Sequence, residues 1–386
     1  MKHAAIVTEN KYPCEDAGAL RQHATAKILQ ELGYSVTVIG YGKPTGKRLL
    51  VHEGVKYISF RPASSNVFIR LVYRVLFGWR AFKFIHRNCS DASLIFVVDT
   101  LPYAMKVIAR YAGRRNITLV HDSVEWYSPE EYPDGEKNRE YKLKEKTNRV
   151  LVGKGWRVMA ISRYLQEHFS KVCDRVVRIP VIMDVENIEY RKDFLDNAEK
   201  TRFVYAGGPG RKDYLKEIIE GFCQLDVISL QKLELHILGV NMEQLKSVCG
   251  VSEACIEKLS NVLIVHGRVP HEEAVCWVRD ADYTLLIRNA ELRYAKAGFP
   301  TKIVESLSCG TPPVCNLSSD LELYLRDGEN AIIAEGNAPE QVKDALEAAM
   351  AISIEERKNM RKKARETAET YFDYHRYVSV MGKLVE

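Results

Sequence analysis

Short apolar runs alternating with stretches of helical period open the chain, and the same alternation opens again past its midpoint. Residues 3–8 read HAAIVT, a run of strand length. Residues 19–32 follow with apolar side chains at 20, 24, 28, 29 and 32, and Gly33 then leads into a second apolar run at 35–40. Strand, helix and strand at this spacing predict a βαβ unit. The order starts afresh at 202–206 (RFVYA) and continues through apolar runs at 233–239, 262–265, 281–287 and from Val314. A chain of 386 residues exceeds the usual single core. The restart therefore predicts an α/β protein of two doubly wound, Rossmann-like domains. They are expected to span 1–180 and 181–370, joined through the polar stretch after Ile179, with an aromatic segment at 371–386 packing back on the first domain. No GxGxxG follows the first strand, which disfavours a nicotinamide dinucleotide site.

Composition narrows the function. With 46% hydrophobic and 28% charged residues the chain is ordinary globular material, which excludes general disorder. A net charge of +5 suits phosphorylated ligands or an anionic membrane surface and falls short of a dedicated nucleic-acid binder. The nine cysteines are odd in number and form no CxxC pair, so they read as reduced thiols of a cytoplasmic protein with no metal-ligand spacing. No leader pattern opens the sequence, and no run of 18 apolar residues suggests a membrane span.

Residues 297–311 (AGFPTKIVESLSCGT) have the form of a loop, a short helix over 300–308 and a glycine stop. Free N–H groups at such a helix start, including that of Thr301, suit an anion. Lys302 and Glu305 stand three apart and share a helix face, where an ammonium can meet a phosphate and a carboxylate can accept from ribose hydroxyls. The plain alternative is a solvated Lys/Glu pair. Glycines 207, 208 and 210 with Arg211 and Lys212 suit a diphosphate at a βα turn, or are merely a tight turn with solvated charges.

In the first half, Gly18 opens the helix that follows the first strand, at the sheet edge where ligands bind. His121, at the end of the run 117–120, can donate to a sugar hydroxyl or phosphate there, or be a structural histidine. Asp99, Asp122 and Glu125 near the same rim are candidates for an acceptor-side base. The loop 125–132 (EWYSPEEY) is dense in aromatics and acids suited to a sugar acceptor. Residues 66–87 (NVFIRLVYRVLFGWRAFKFIHR) form a helix of aromatic and basic residues with no acid. This is the composition of a helix lying in the headgroup layer, or of a core helix whose arginines reach to water.

The stretches FPTKIVESLSCGTPPV and YLRDGENAIIAE, with GGPGRKD, VHGRVP and VHD, resemble the retaining glycosyltransferases of GT-B fold, family 4, over nearly the whole chain. The resemblance implies two Rossmann-like domains facing across a cleft, a nucleotide-sugar on the second, and neither metal nor other cofactor. It implies that Lys302, Arg211 and Lys212, with the Gly208 turn, hold the donor diphosphate. Glu305 would accept from the ribose, the backbone at Arg268 and Val269 would meet the base, Gly18 would admit the phosphates, and His121 would lie near the transferred sugar. The position eight before Glu305, where the family carries an acid that touches the sugar, is Ala297. The resulting expectation is a hexosyl transfer from a UDP- or GDP-sugar to a saccharide or lipid-linked acceptor in cell-surface polysaccharide or glycolipid synthesis, at the inner membrane face. A nucleotide-sugar epimerase and a non-catalytic nucleotide-sugar binder are the rival readings.

Overall fold

A computed structural model describes residues 2–13, 16–46, 48–98, 100–190, 200–208 and 212–386. The chain divides into two compact units, Met1–Asp184 with Asp373–Glu386, and Val185–Phe372. The first holds β1 (Lys2–Thr8), β2 (Tyr34–Gly40), β3 (Leu50–His52), β4 (Val55–Ser59), β5 (Ala92–Val98), β6 (Thr118–Ser123), β7 (Arg157–Ala160) and β8 (Arg175–Arg178). Their order in the sheet is β3-β4-β2-β1-β5-β6-β7-β8, all parallel except β3 against β4. The second holds β9 (Thr201–Ala206), β10 (Leu233–Leu238), β11 (Leu263–Gly267), β12 (Tyr283–Leu286), β13 (Pro313–Asn316) and β14 (Ile332–Ala334). These pair in the order β11-β10-β9-β12-β13-β14, parallel throughout.

Helices cover both sheets, and that explains the strand sequences. A parallel strand buried on both faces needs apolar residues in succession, not in alternation. Ala4, Ala5, Ile6 and Val7 of β1 are all fully buried, as are Phe203, Val204 and Tyr205 of β9. The Ala17–Glu31 helix begins two residues earlier than its apolar period suggests, because the Asp16 carboxylate caps the Ala19 N–H at 2.8 Å. Gly18 therefore lies inside the first turn.

Three elements differ from what their sequence pattern suggests, namely one strand at 51–61, one helix at 137–154 and one helix at 321–327. The apolar stretch 51–61 is not one strand but a hairpin, β3 and β4, in which His52 pairs with Val55 across Glu53 and Gly54. Both turn residues have positive φ, 44° and 80°, the backbone that lets a two-residue turn match strand twist. The basic run 137–154 is broken: a regular helix spans Arg139–Lys146 and widens into a π turn at Thr147–Leu151. The segment expected to be helical at 321–327 makes a single 3-10 turn at Leu321–Leu323. At the C-terminal end, the Val378–Val385 helix buries Met381 and Leu384 in the core of the first unit.

The Val67–Asn88 helix has the predicted length but the opposite orientation to a core helix. It buries Phe77, Gly78, Ala81 and Ile85 and leaves Phe68, Leu71, Val75 and Trp79 exposed. No helix among the described residues is long and apolar enough to cross a membrane.

Asp122, expected as an acceptor-side base, is instead the partner of a buried arginine. Arg21 Nη2 lies 2.9 Å from Asp122 Oδ1 and Nε 3.1 Å from Oδ2, with both side chains at most 3% exposed. The same guanidinium donates to the carbonyls of Ile179, at 3.1 Å, and Pro180. It thereby fastens the Ala17–Glu31 helix, the end of β6 and the chain leaving β8. A carboxylate committed to this pair is not free to take a substrate proton. Asp122→Ala would leave the guanidinium buried and uncompensated, and is expected to cost about 3–5 kcal/mol, read as a drop in the urea midpoint. A loss within about 0.5 kcal/mol would contradict the structural role.

Candidate donor site and the buried histidine

The second unit gathers its polar groups at the carboxyl ends of β9 and β12. The Thr301–Ser308 helix is held there by its apolar side: Ile303, Val304 and Leu307 are buried. The Ser306 hydroxyl bonds to Thr311 O, at 2.6 Å, and to the Thr284 hydroxyl on β12. Gly310, at φ 68°, ends the helix in the left-handed backbone that glycine tolerates. Pro300 occupies the N-cap, and no side chain among the described residues caps the helix start at Thr301.

Lys302 runs from this helix across Gly207, at the end of β9. Gly207 has φ 134°, a backbone that strains any side chain, and a Cβ there would lie 2.4 Å from Lys302 Cε, so the position favours glycine. The ammonium sits 4.4 Å from the Tyr205 ring centroid, 2.8 Å from Tyr205 Oη and in contact with Asp213 Oδ2. Tyr205 donates to the same Asp213 oxygen at 2.9 Å, and Arg288 Nε meets the other at 2.9 Å. Asn316 on β13 holds the Arg288 backbone through both its amide groups, at 3.0 and 2.7 Å.

Two cations thus share one carboxylate, leaving one positive charge in excess. Burial alone would raise the Asp213 carboxyl, but the Lys302 and Arg288 charges overcome it and hold it at about 2. Burial pushes Lys302 below its ordinary range, and Asp213 opposes that shift. Glu305, one turn along the same face, has no hydrogen-bond partner among the described residues. Its nearest charged neighbour is His271 Nε2 at 3.9 Å, and burial raises its carboxyl against the pull of His271 and Lys302. An ammonium with spare positive charge and an unsatisfied carboxylate therefore stand together.

The other residues singled out in the sequence fall as follows. Gly208 borders the Gly207 turn, with open space where a Cβ would be. Lys212 is half-buried, and its carbonyl accepts from Tyr294 Oη at 2.8 Å. Arg268 is exposed after β11, and Val269 packs beside Trp277 on Val204, Leu238 and Ala281. Arg211 and Asp99 lie outside the described residues. Asp213, Tyr205 and Arg288 were not singled out from the sequence. The adjacency of Asp213 to the basic turn was the available signal, but which cation it pairs with depends on strands far apart in the chain.

In the first unit, Gly18 serves its own neighbourhood: a Cβ there would lie 2.2 Å from Asn10 Nδ2, which donates to Gln22 at 3.1 Å. The close approach at this glycine is that of Asn10. Glu125 is half-buried, and its carbonyl lies 3.4 Å from Asn148 Nδ2. His121 is buried between Trp156 and Phe169, with ring centroids at 6.2 and 6.0 Å. Burial, with the Lys144 charge adding to it, lowers the imidazole to about 3, against a small opposing effect of Val97 O. The neutral ring donates through Nδ1 to Val97 O at 3.2 Å, which assigns Nε2 as an acceptor. Among the described residues Nε2 has no hydrogen-bond partner, nor has the Thr100 hydroxyl, and both residues line one cavity of about 60 Å³ with Glu9, Tyr127 and Lys144. The histidine expected to donate can thus only accept at its free nitrogen.

Residues 186–367 match the profile of the family described as Glycosyl transferases group 1. The second unit thus carries the segment that matches this glycosyltransferase family. The chain is 22% identical over 414 aligned positions to an uncharacterized glycosyltransferase of Methanocaldococcus jannaschii, covering 100% of this chain and 99% of that one. Among solved structures it resembles sucrose-phosphate synthase from Thermosynechococcus elongatus, with a TM-score of 0.74 at 14% identity over 100% of this chain and 98% of that one. It also resembles Anabaena HepE in complex with UDP and glucose, with a TM-score of 0.69 at 14% identity over 99% of both. These likenesses show the two-domain α/β fold.

The sign of the pH dependence follows from Asp213. Its folded value of about 2 lies below the ordinary 3.8, so its stabilisation is complete above the ordinary value and is lost as pH falls through about 2. The stability difference between wild type and Asp213→Asn should therefore be full at neutral pH and shrink between about pH 4 and pH 2. A constant difference across that range, in acid titrations followed by circular dichroism, would place the charge pairing elsewhere.

Proposed function

We propose that the chain is a retaining, metal-independent hexosyltransferase of family 4. It moves a sugar from a UDP- or GDP-sugar to a saccharide or lipid-linked acceptor in cell-surface polysaccharide or glycolipid synthesis. The observation that carries this reading is the Lys302 ammonium over the Gly207 turn, with Arg288 sharing its carboxylate and Glu305 one turn on, without a hydrogen-bond partner among the described residues. The excess positive charge meets the diphosphate, a task that a divalent metal performs elsewhere. Glu305 takes the ribose hydroxyls, and the backbone at Arg268 and Val269 takes the base edge. The neighbour that binds UDP and glucose supports a nucleotide-sugar as the donor.

In the reaction, the bond between sugar C1 and the diphosphate oxygen breaks and the acceptor oxygen bonds to C1 from the same face. The acceptor proton passes to the departing diphosphate, so no carboxylate base is needed and the loss of Asp122 from that role removes nothing. His121 Nε2, a bare acceptor, is suited to a sugar hydroxyl and not to a phosphate. The exposed apolar face of the Val67–Asn88 helix, with its cations, supports an anionic membrane surface at the cytoplasmic side as the working location in this reading. A non-catalytic binder is the second reading, favoured by Ala297, which is fully buried where an acid would reach the sugar.

A panel of nucleotides and nucleotide-sugars at a hundred times their dissociation constants should stabilise the wild type by about 2.7 kcal/mol for the true base. Lys302→Ala should abolish the shift. Incubation with the matching donor and an acceptor mixture should then yield a new glycosidic bond of unchanged anomeric configuration. Free epimerised sugar would favour the epimerase. Binding without turnover would favour the silent binder, and no shift with any nucleotide would remove the reading.

A further inference from the structure

A groove of about 640 Å³ separates the exit of β4 from the Val67–Asn88 helix. Arg61 lines it from the strand side and Arg80, Lys83 and Arg87 from the helix, together with Phe60 and Phe84, whose rings meet edge to face at 6.1 Å; no lining residue is acidic. None of the four cations has a carboxylate partner among the described residues. Arg80 lies 3.8 Å over the Tyr73 ring, which orients its guanidinium without neutralising it. Arg74 on the same helix makes the contrast, since Glu9 and Glu140 meet it at 2.8 and 3.2 Å. Four unpaired cations over an aromatic wall suit an anion that arrives with an apolar body, and arginine forks match phosphate oxygens in particular.

The same helix says where that body lies. Phe68, Leu71, Val72, Val75, Leu76 and Trp79 recur at three- and four-residue steps and are all exposed, Phe68 to 72% and Trp79 to 54%. Arg80 follows Leu76, and Lys83 follows Trp79, by four residues, so the apolar stripe runs directly into the cationic groove. A stripe of this kind on a soluble surface, rimmed by one sign of charge, is the arrangement of a helix lying in a lipid headgroup layer.

We propose that the β4–helix groove is a headgroup site that binds the phosphate of a membrane lipid, while the stripe beside it enters the interfacial layer of the bilayer. The site deepens the membrane association of the transferase reading and rests on it. It gives the surface a preference for lipids with an accessible phosphate over a diffuse attraction to negative charge.

The test is co-sedimentation of the full chain with phosphatidylcholine vesicles, with and without phosphatidic acid, alongside the UDP- and GDP-induced melting shifts of the same samples. The wild type should pellet with phosphatidic acid vesicles, weakly at high salt, and not with phosphatidylcholine alone. The triple variant Arg80→Gln, Lys83→Gln, Arg87→Gln should lower partitioning about tenfold or more, with its melting point and nucleotide shift retained. Phe68→Ser with Trp79→Ser should also lower partitioning to phosphatidic acid vesicles, with its salt dependence and its nucleotide shift kept. Unchanged binding of the triple variant, or equal binding to phosphatidylcholine, would overturn the headgroup site. So would stabilisation by free inorganic phosphate that vesicles do not compete with, or a concentration-dependent dimer that the Phe68/Trp79 variant dissolves. Vesicle binding without any nucleotide shift would count against the transferase reading and leave the groove standing; the reverse result would do the opposite.

Discussion

The sharing of Asp213 between Lys302 and Arg288 is the contact on which the second unit's site depends. It joins the loop after β9, the residue just beyond β12 and the helix from Thr301, three places that only a parallel sheet of this strand order brings together. Removing two charges from water is costly, and a lone buried carboxylate or ammonium would shed its charge. Here each charge is kept because the others are present. Two cations thus face one shared carboxylate beside a glycine turn, and a Cβ at Gly208 would meet open space. In the proposed donor site, this is where an anionic ligand is expected to bind.

The first unit uses the same chemistry for a different end. Arg21 and Asp122 are balanced, fully buried and supplied with carbonyls for the remaining guanidinium hydrogens, so they hold elements together and offer nothing outward. One residue before Asp122, the chain direction of β6 turns His121 into an aromatic enclosure, where burial keeps it neutral and leaves a single nitrogen unsatisfied. Adjacent residues of one VHD motif thus have opposite fates, because successive side chains of a strand point to opposite faces.

This explains which parts were legible in the sequence. Buried parallel strands are rich in successive apolar residues, so β1 and β9 could be read directly. The β3–β4 hairpin was hidden because its turn, Glu53–Gly54, carries only one glycine, and a glutamate at positive φ leaves no signature. The common face of Lys302 and Glu305 followed from helical spacing alone, since both lie on one short element. Asp213, Tyr205 and Arg288 did not, because their meeting is set by strand order and not by distance along the chain. Asp122 misled for the same reason: its partner, Arg21, stands a hundred residues earlier. The exposed stripe of the Val67–Asn88 helix was visible as a pattern, but periodicity gives a face and not what covers it.

The central claim is that the charge left over at Lys302 is the seat of a donor's diphosphate. Titration calorimetry of UDP against UMP, or of GDP against GMP if that is the base that binds, tests it most directly, because the pair differs only by the phosphate assigned to that ammonium. The wild type should prefer the diphosphate by roughly tenfold or more, as a hydrogen bond to a charged group contributes about 1.5–3 kcal/mol, and Lys302→Met should bind both alike. Equal affinities in the wild type, or a preference that survives in Lys302→Met, would contradict it.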